Sequence, residues 1–344
     1  MRSLRCPTCH GPVFFENDRC LTCGTGLGFE PGSFTMVAPS SPNAADRAPD
    51  GVVEWVACAN AAVAGCNWVV PAAAAGSLCR SCGLTRTRPD DLDPEGHRWF
   101  LEAEVAKRRL VAQLLDLGLP VTSFAEAPDG LGFDLLTSRF DAVTTGHEDG
   151  MITVDLAEAD DAHRERVRAE LGEAYRTVLG HFRHEVGHYY WMVLVRDGAH
   201  LDEFRRRFGD ERVDYGQAMR SHYGGSAPVG WENDHVSAYA TMHPWEDWAE
   251  TFAHQLHIRD ALQTAAETGV TVISKDIPGG IVAPGDVEGR TFGEIVEQWI
   301  PLAAALNALN RSMGEPDLYP FVLSPTVIDK LAFVDRLVRE AARP

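Results

Sequence analysis

The sequence predicts an α+β protein: a mostly helical domain with a small sheet, preceded by two small four-cysteine modules. Three observations predict it. All eight cysteines of the 344-residue chain fall within the first 82 residues. Beyond residue 94, long stretches repeat apolar residues at three- and four-residue intervals, the period of a helix packed on one face. Two shorter stretches read as strands, one of them, 151–156, by alternating apolar with polar residues, the period of a strand.

The cysteines come first along the chain. Cys6, Cys9, Cys20 and Cys23 form two CxxC pairs separated by ten residues. Two thiolates three apart in a tight turn grip one side of a tetrahedral zinc ion, and a second such knuckle closes it. Gly11 and Gly24 follow the knuckles, where a sharp turn favours a residue that tolerates positive φ. Cys58, Cys66, Cys79 and Cys82 make a second set, less regular in its first half. Four thiolates leave no open coordination position, so both sites are expected to be structural. The segments are too short to bury much core, and the metal is expected to supply their folding energy. The expected organisation is a zinc ribbon over 1–30, a linker rich in Pro, Ser, Ala and Gly over 31–53, a second four-cysteine module over 54–90, and a larger domain over 91–344.

In the larger domain, Trp99, Val105, Leu110, Leu114 and Leu117 mark a helix over 95–117. Strands are predicted over 131–137 and 151–156, and a long helix over 162–195. Residues 196–230 read as loop-rich with one helical piece over 201–208. A helix follows Pro244 to about 268, because proline suits a first helical turn. Two more are predicted over 291–312 and 325–341, the last with Ser324 as N-cap and Pro325 behind it.

Composition excludes several classes. Hydrophobic residues are 45% of the chain, ample for a sizeable core, yet no run of about 18 apolar residues suggests a membrane span. The N-terminus, Met1-Arg2-Ser3-Leu4-Arg5-Cys6-Pro7, lacks the apolar segment of a secretory signal, so a cytoplasmic location is expected. The net charge is −19, and the first 90 residues are neutral with seven charges of each sign. Neither part offers the basic footprint that phosphate backbones require, so no nucleic-acid partner is expected.

The chemistry concentrates in His181-Phe182-Arg183-His184-Glu185-Val186-Gly187-His188, which contains HExxH at His184, Glu185 and His188. On a helix, residues four apart share a face, so both imidazoles can reach one zinc ion. Glu185 is then placed as general base toward a water at the metal. A catalytic zinc needs a third protein ligand. The extended pattern HExxHxxGxxH is absent, because Trp191 and Leu194 occupy its last two fixed positions. Glu246 is assigned instead, in His243-Pro244-Trp245-Glu246-Asp247-Trp248-Ala249-Glu250, with Asp247 as the rival. Glu250, one turn on, is expected to accept the free ring N–H of a ligating histidine and fix its tautomer. Tyr239 and His243 are the candidate donors to a developing oxyanion. Nine of the 13 histidines lie between His181 and His257, and most of them cannot be ligands.

These residues, with Thr145-Gly146-His147, the stretch Leu156-Ala157-Glu158-Ala159-Asp160-Asp161, and Phe208-Gly209-Asp210-Glu211, resemble bacterial zinc-binding metallopeptidases that carry an N-terminal zinc ribbon. The resemblance spans nearly the whole chain. It implies a zincin-like domain of the gluzincin type, with HExxH on one helix and a glutamate ligand on a later one reading E-x-x-x-D/E. Glu246 and Glu250 match that pattern, and Tyr239 matches a transition-state tyrosine seven residues before the ligand. The resemblance also implies a strand beside the site that pairs with extended substrate, for which 151–156 is the candidate. The expected cofactors are one catalytic and two structural zinc ions, and the expected partner is a peptide or protein substrate. The contrasting expectation is an inactive scaffold whose zinc ribbons serve as a protein-interaction module; a third is a hydrolase of non-peptide amides.

Overall fold

The structure, a computed structural model, describes residues 2–40, 54–140, 142–160, 177–225, 227–273, 281–282 and 289–342. The chain forms two compact units. One comprises Arg2–Asp116 and Pro120–His163; the other comprises Leu117–Leu119 and Arg164–Pro344, with Met1.

The N-terminal unit begins with three antiparallel ribbons. They are β1 (Leu4–Arg5) with β2 (Pro12–Val13), β3 (Gly28–Glu30) with β4 (Thr35–Val37), and β5 (Trp55–Ala57) with β6 (Val69–Pro71). Strands this short cannot stand alone. They are held by the cysteine clusters and by a small aromatic core, in which Phe29 lies 4.7 Å from Phe15 and 5.2 Å from Trp68 between ring centroids. Asn67 Nδ2 donates to the Phe15 carbonyl at 2.6 Å, so the two cysteine modules share this core. The linker expected over 31–53 therefore starts too early. β4 lies inside it, and its Met36 is buried at 4% exposure, an apolar anchor hidden in a turn-rich composition. Residues 41–53 lie outside the described residues.

The same unit contains β7 (Thr85–Thr87), α1 (Pro94–Asp116), β8 (Gly132–Leu136), β9 (Gly146–Glu148) and β10 (Met151–Asp155). The sheet order is β7-β8-β10-β9. β10 runs parallel to β8, with Met151 opposite Gly132, and antiparallel to β9, with Met151 opposite Glu148. Over Met151–Thr153 both of its edges are thus paired, which corrects the expectation that all of 151–156 is open to pairing with a substrate. The compact units do not divide at residue 90, because α1 is tied to the second cysteine module. Arg108 donates to the carbonyls of Ala64 and Gly65 at 3.0 and 3.1 Å. Fully buried Lys107 pairs with Glu104 and bonds to Thr85. A buried charge is costly unless it is paired and hydrogen-bonded, and here both conditions hold.

The C-terminal unit contains α2 (Val178–Trp191), α3 (Leu201–Phe208), α4 (Tyr215–Tyr223), α5 (Pro244–Thr268), α6 (Phe292–Ser312) and α7 (Pro325–Ala341). A two-stranded ribbon, β11 (Val272–Ile273) with β12 (Ile281–Val282), lies between α5 and α6. The helix expected over 162–195 starts at Val178 among the described residues, where the Thr177 side chain accepts from the Gly180 amide; 161–176 lie outside them. A π-turn over Met192–Arg196 carries it on. Helix α4 lies where a loop is expected: it is short, polar and has no buried residue to give it a hydrophobic stripe. Helix α5 is the centre of the unit. Ile258 and Leu262 pack with Ile295, Trp299 and Leu331 in one apolar cluster. It also meets α7 through buried polar contacts: Arg259 Nε bonds Asp335 at 2.7 Å, and Lys330 Nζ bonds Asp247 at 2.6 Å. A helix buried on several sides with such partners has no clean polar face. Among the described residues, no helix is long and apolar enough to cross a membrane.

Candidate metal centre

The site is built where α2 crosses α5. The crossing is close because α2 presents Gly187: a Cβ there would lie 2.9 Å from Ala249 Cα and 3.2 Å from its carbonyl oxygen. Trp248 Nε1 donates to the Gly187 carbonyl at 2.8 Å, so the two helices are joined by a buried hydrogen bond. Tyr190 stacks on Phe252 with ring centroids 5.2 Å apart. Turned one way by this contact, α2 presents His184 and His188, and α5 presents Glu246.

One ligand atom from each of His184, His188 and Glu246 lies within 4.8 Å of the others. His184 Nε2 is 3.0 Å from Glu246 Oε2, and His188 Nε2 is 3.6 Å from Glu246 Oε1. All three residues are buried, Glu246 at 2% exposure. Burial works against charge on His184, yet Glu246 and Glu250 raise its pKa well above the ordinary 6.5. Burial likewise would raise the Glu246 pKa, but the two imidazoles hold it well below 4.5. The cluster thus favours positive charge at its centre, as a site for a divalent cation must. Two imidazoles and a carboxylate suit zinc.

The supporting contacts fix orientation. His184 Nδ1 lies 2.7 Å from Glu250 Oε1, and Ser237 Oγ donates to Glu250 Oε2 at 2.6 Å. With Nδ1–H donating to the Glu250 carboxylate, Nε2 is the ring nitrogen left facing the centre. Asp247, the rival ligand, points elsewhere: it pairs with Lys330, and its burial, partly offset by that lysine, pushes its pKa up to about 7. Glu185 is 5% exposed, with Oε1 at 3.4 Å from His181 Nε2 and Oε2 without a hydrogen-bond partner among the described residues. Burial would raise the Glu185 pKa, but His181 and the neighbouring imidazoles hold it below 4.5, so it is ionised at neutral pH.

Tyr239 reaches the site from a 3-10 turn over Tyr239–Thr241, not from a continuation of α5. Its ring centroid is 5.8 Å from that of His184. Burial and the nearby carboxylates raise its pKa above 10, so the hydroxyl keeps its proton. His243 is placed differently. It is the N-cap of α5, where Nδ1 accepts from the Trp245 amide at 3.1 Å and Nε2 donates to the Val213 carbonyl at 3.1 Å. Both ring nitrogens are engaged in holding the helix start. His254 shares a hydrogen bond with Tyr319 at 2.7 Å, and His257 meets Arg183 at 2.6 Å; both belong to the core.

Two residues of the site carry no sequence signal. Tyr215, on α4, donates from Oη to Glu246 Oε1 at 2.8 Å. Ser237 sits in an irregular segment at no helical spacing from Glu250. Only the fold brings them in.

The cysteines gather as two further clusters, Cys6, Cys9, Cys20 and Cys23, and Cys58, Cys66, Cys79 and Cys82. None of the eight is joined in a disulfide. Sulfur separations are 3.6 Å for Cys6–Cys23 and Cys9–Cys20, and 3.7 Å for Cys66–Cys79. Four sulfurs at about 2.3 Å around a tetrahedral zinc stand about 3.8 Å apart, so both clusters fit the metal. In the first knuckle, positive φ falls on His10 rather than on Gly11; in the second it falls on Gly24, as expected.

Residues 96–337 match the family model described as "Putative zinc-binding metallo-peptidase", and residues 3–93 match a zinc-ribbon domain. The first match covers more than half of the chain, which therefore belongs to this zinc-binding metallopeptidase family. Uncharacterized proteins of Mycobacterium bovis and Mycobacterium tuberculosis are 48% identical to it over 344 residues, covering 99% of this chain and 96% of theirs. No solved structure matches the chain.

Proposed function

We propose that the protein is a zinc-dependent peptidase of the gluzincin type, with His184, His188 and Glu246 as metal ligands and Glu185 as general base. The observation that carries this reading is the convergence of those three ligand atoms beside a buried, ionised and half-unpartnered Glu185. Zinc at this centre would supply Lewis acidity toward water and the substrate carbonyl. The remaining chemistry belongs to the chain. Glu185 takes the proton of the attacking water and delivers it to the leaving amine nitrogen. Tyr239, protonated and beside His184, donates to the developing oxyanion. His243 serves by fixing the start of α5, and Glu250 with Ser237 keeps His184 in its ligating tautomer. The two cysteine clusters would each hold a structural zinc.

The test is Glu185→Gln on the full chain, assayed with a peptide mixture and by metal analysis. The expected result is unchanged zinc content and hydrolysis slower by about 10²–10⁴-fold. Hydrolysis at the wild-type rate would rule out this base, and a wild-type protein inert toward every peptide would favour the inactive-scaffold reading.

A further inference from the structure

Helix α4 has no buried residue, so no core of its own holds it in place. Two of its residues reach the metal centre. Tyr215 Oη donates to Glu246 Oε1, and the Tyr215 ring meets His243 edge-on at 5.2 Å. His243 also bonds the Val213 carbonyl just before the helix. Two turns on, His222 lies 5.7 Å from the ring of Tyr239. Tyr215 and His222 are seven apart and share a face.

Both oxygens of Glu246 face imidazoles: Oε2 lies 3.0 Å from His184 Nε2, and Oε1 lies 3.6 Å from His188 Nε2 while accepting the tyrosine hydroxyl at 2.8 Å. Rotating the carboxylate out of this orientation would break the tyrosine bond in a buried site, where an unmade hydrogen bond is costly.

We propose that Tyr215 is a positioning residue that holds the Glu246 carboxylate in its orientation toward His184 and His188, and that docking of α4 is coupled through it to metal occupancy. The proposal rests on the reading of His184, His188 and Glu246 as a metal centre. Coupling is reciprocal: a metal that fixes Glu246 holds the tyrosine and its helix, and a docked helix tightens the metal.

The experiment uses the full chain with its cysteine sites loaded. Zinc affinity of the remaining site is measured by competition with a chromophoric chelator, for wild type and Tyr215→Phe. Amide hydrogen exchange across 215–223 is followed with and without that zinc. Phenylalanine keeps the ring against His243 and removes only the hydroxyl. The expected loss of affinity is about 10–100-fold, with the cysteine sites unchanged. Zinc is expected to slow exchange across 215–223 in wild type and not in Tyr215→Phe. Equal affinity in the two proteins overturns the proposal. If Tyr215→Phe does not fold, exchange in wild type decides: rates at 215–223 that ignore zinc overturn it. A wild-type chain that takes up no further zinc overturns the metal-centre reading itself, and this proposal with it.

Discussion

At the scale of single residues, the candidate site was legible where chemistry follows helical spacing. His184, Glu185 and His188 are set by the i, i+4 rule, and Glu246 and Glu250 by the same rule on a second helix. The observed bonds of His184 to both glutamates follow from that spacing. Tyr215 and Ser237 were not legible, because their partners lie 31 and 13 residues away and no periodicity links them. His243 illustrates the converse: a histidine next to a ligand helix invites a catalytic role, and the structure spends both its nitrogens on backbone groups. His254 shows how burial sets the charge of a core histidine. Burial pushes its pKa down to about 4 from the ordinary 6.5. Between those values the unfolded chain binds more protons than the native one, so stability rises with pH. The contribution is complete above about pH 6.5 and is lost as the pH falls toward about 4. Urea unfolding at about pH 7.5 and about pH 5 should show a larger acid-induced loss in wild type than in His254→Gln. Equal losses would contradict this assignment of the acid sensitivity.

At the scale of elements, the helices with strong apolar stripes or clear caps were the ones the sequence resolved. Helices α3, α5 and α7 have the bounds expected of them, and Ser324 caps α7 through the Val327 amide. Short, solvent-facing α4 escaped, since it lacks a stripe. The short strands β7, β9, β11 and β12 escaped too, because two or three residues carry no usable alternation. The pairing of α2 with α5 depends on one glycine. Gly187→Ala places a methyl group 2.9 Å from Ala249 Cα, against backbone that cannot rotate away. We expect destabilisation of about 1–3 kcal/mol, the usual cost of overpacking. Because His188 and Glu246 lie on the two helices being separated, zinc affinity of the site should fall as well. Thermal unfolding and chelator competition check both; wild-type values for both would show that the helices are not in the close contact described.

At the scale of the whole molecule, the sequence separated the metal-built N-terminal modules from the helices, but not where the compact units divide. The expected boundary followed the last cysteine and a proline-rich stretch. The chain instead keeps α1 and the four-stranded sheet with the cysteine modules, through Arg108 on two carbonyls and the buried Lys107–Glu104 pair. Long-range polar contacts of this kind leave no periodic trace. The pairing of β10 with β8 and β9 was hidden for the same reason, and with it the loss of a free edge over 151–153. What did carry through at this scale is chemical: three groups of metal-ligating side chains, each assembled from residues singled out by spacing. The central claim is that the third group, on α2 and α5, is a metal centre distinct from the two cysteine clusters. The most direct measurement is zinc per chain, by elemental analysis, in wild type and in the double variant His184→Ala/Glu246→Ala. We predict three zinc ions per chain in wild type, with the variant losing the one outside the cysteine clusters. The same zinc content in both proteins, equal to the number of cysteine clusters alone, would contradict the account.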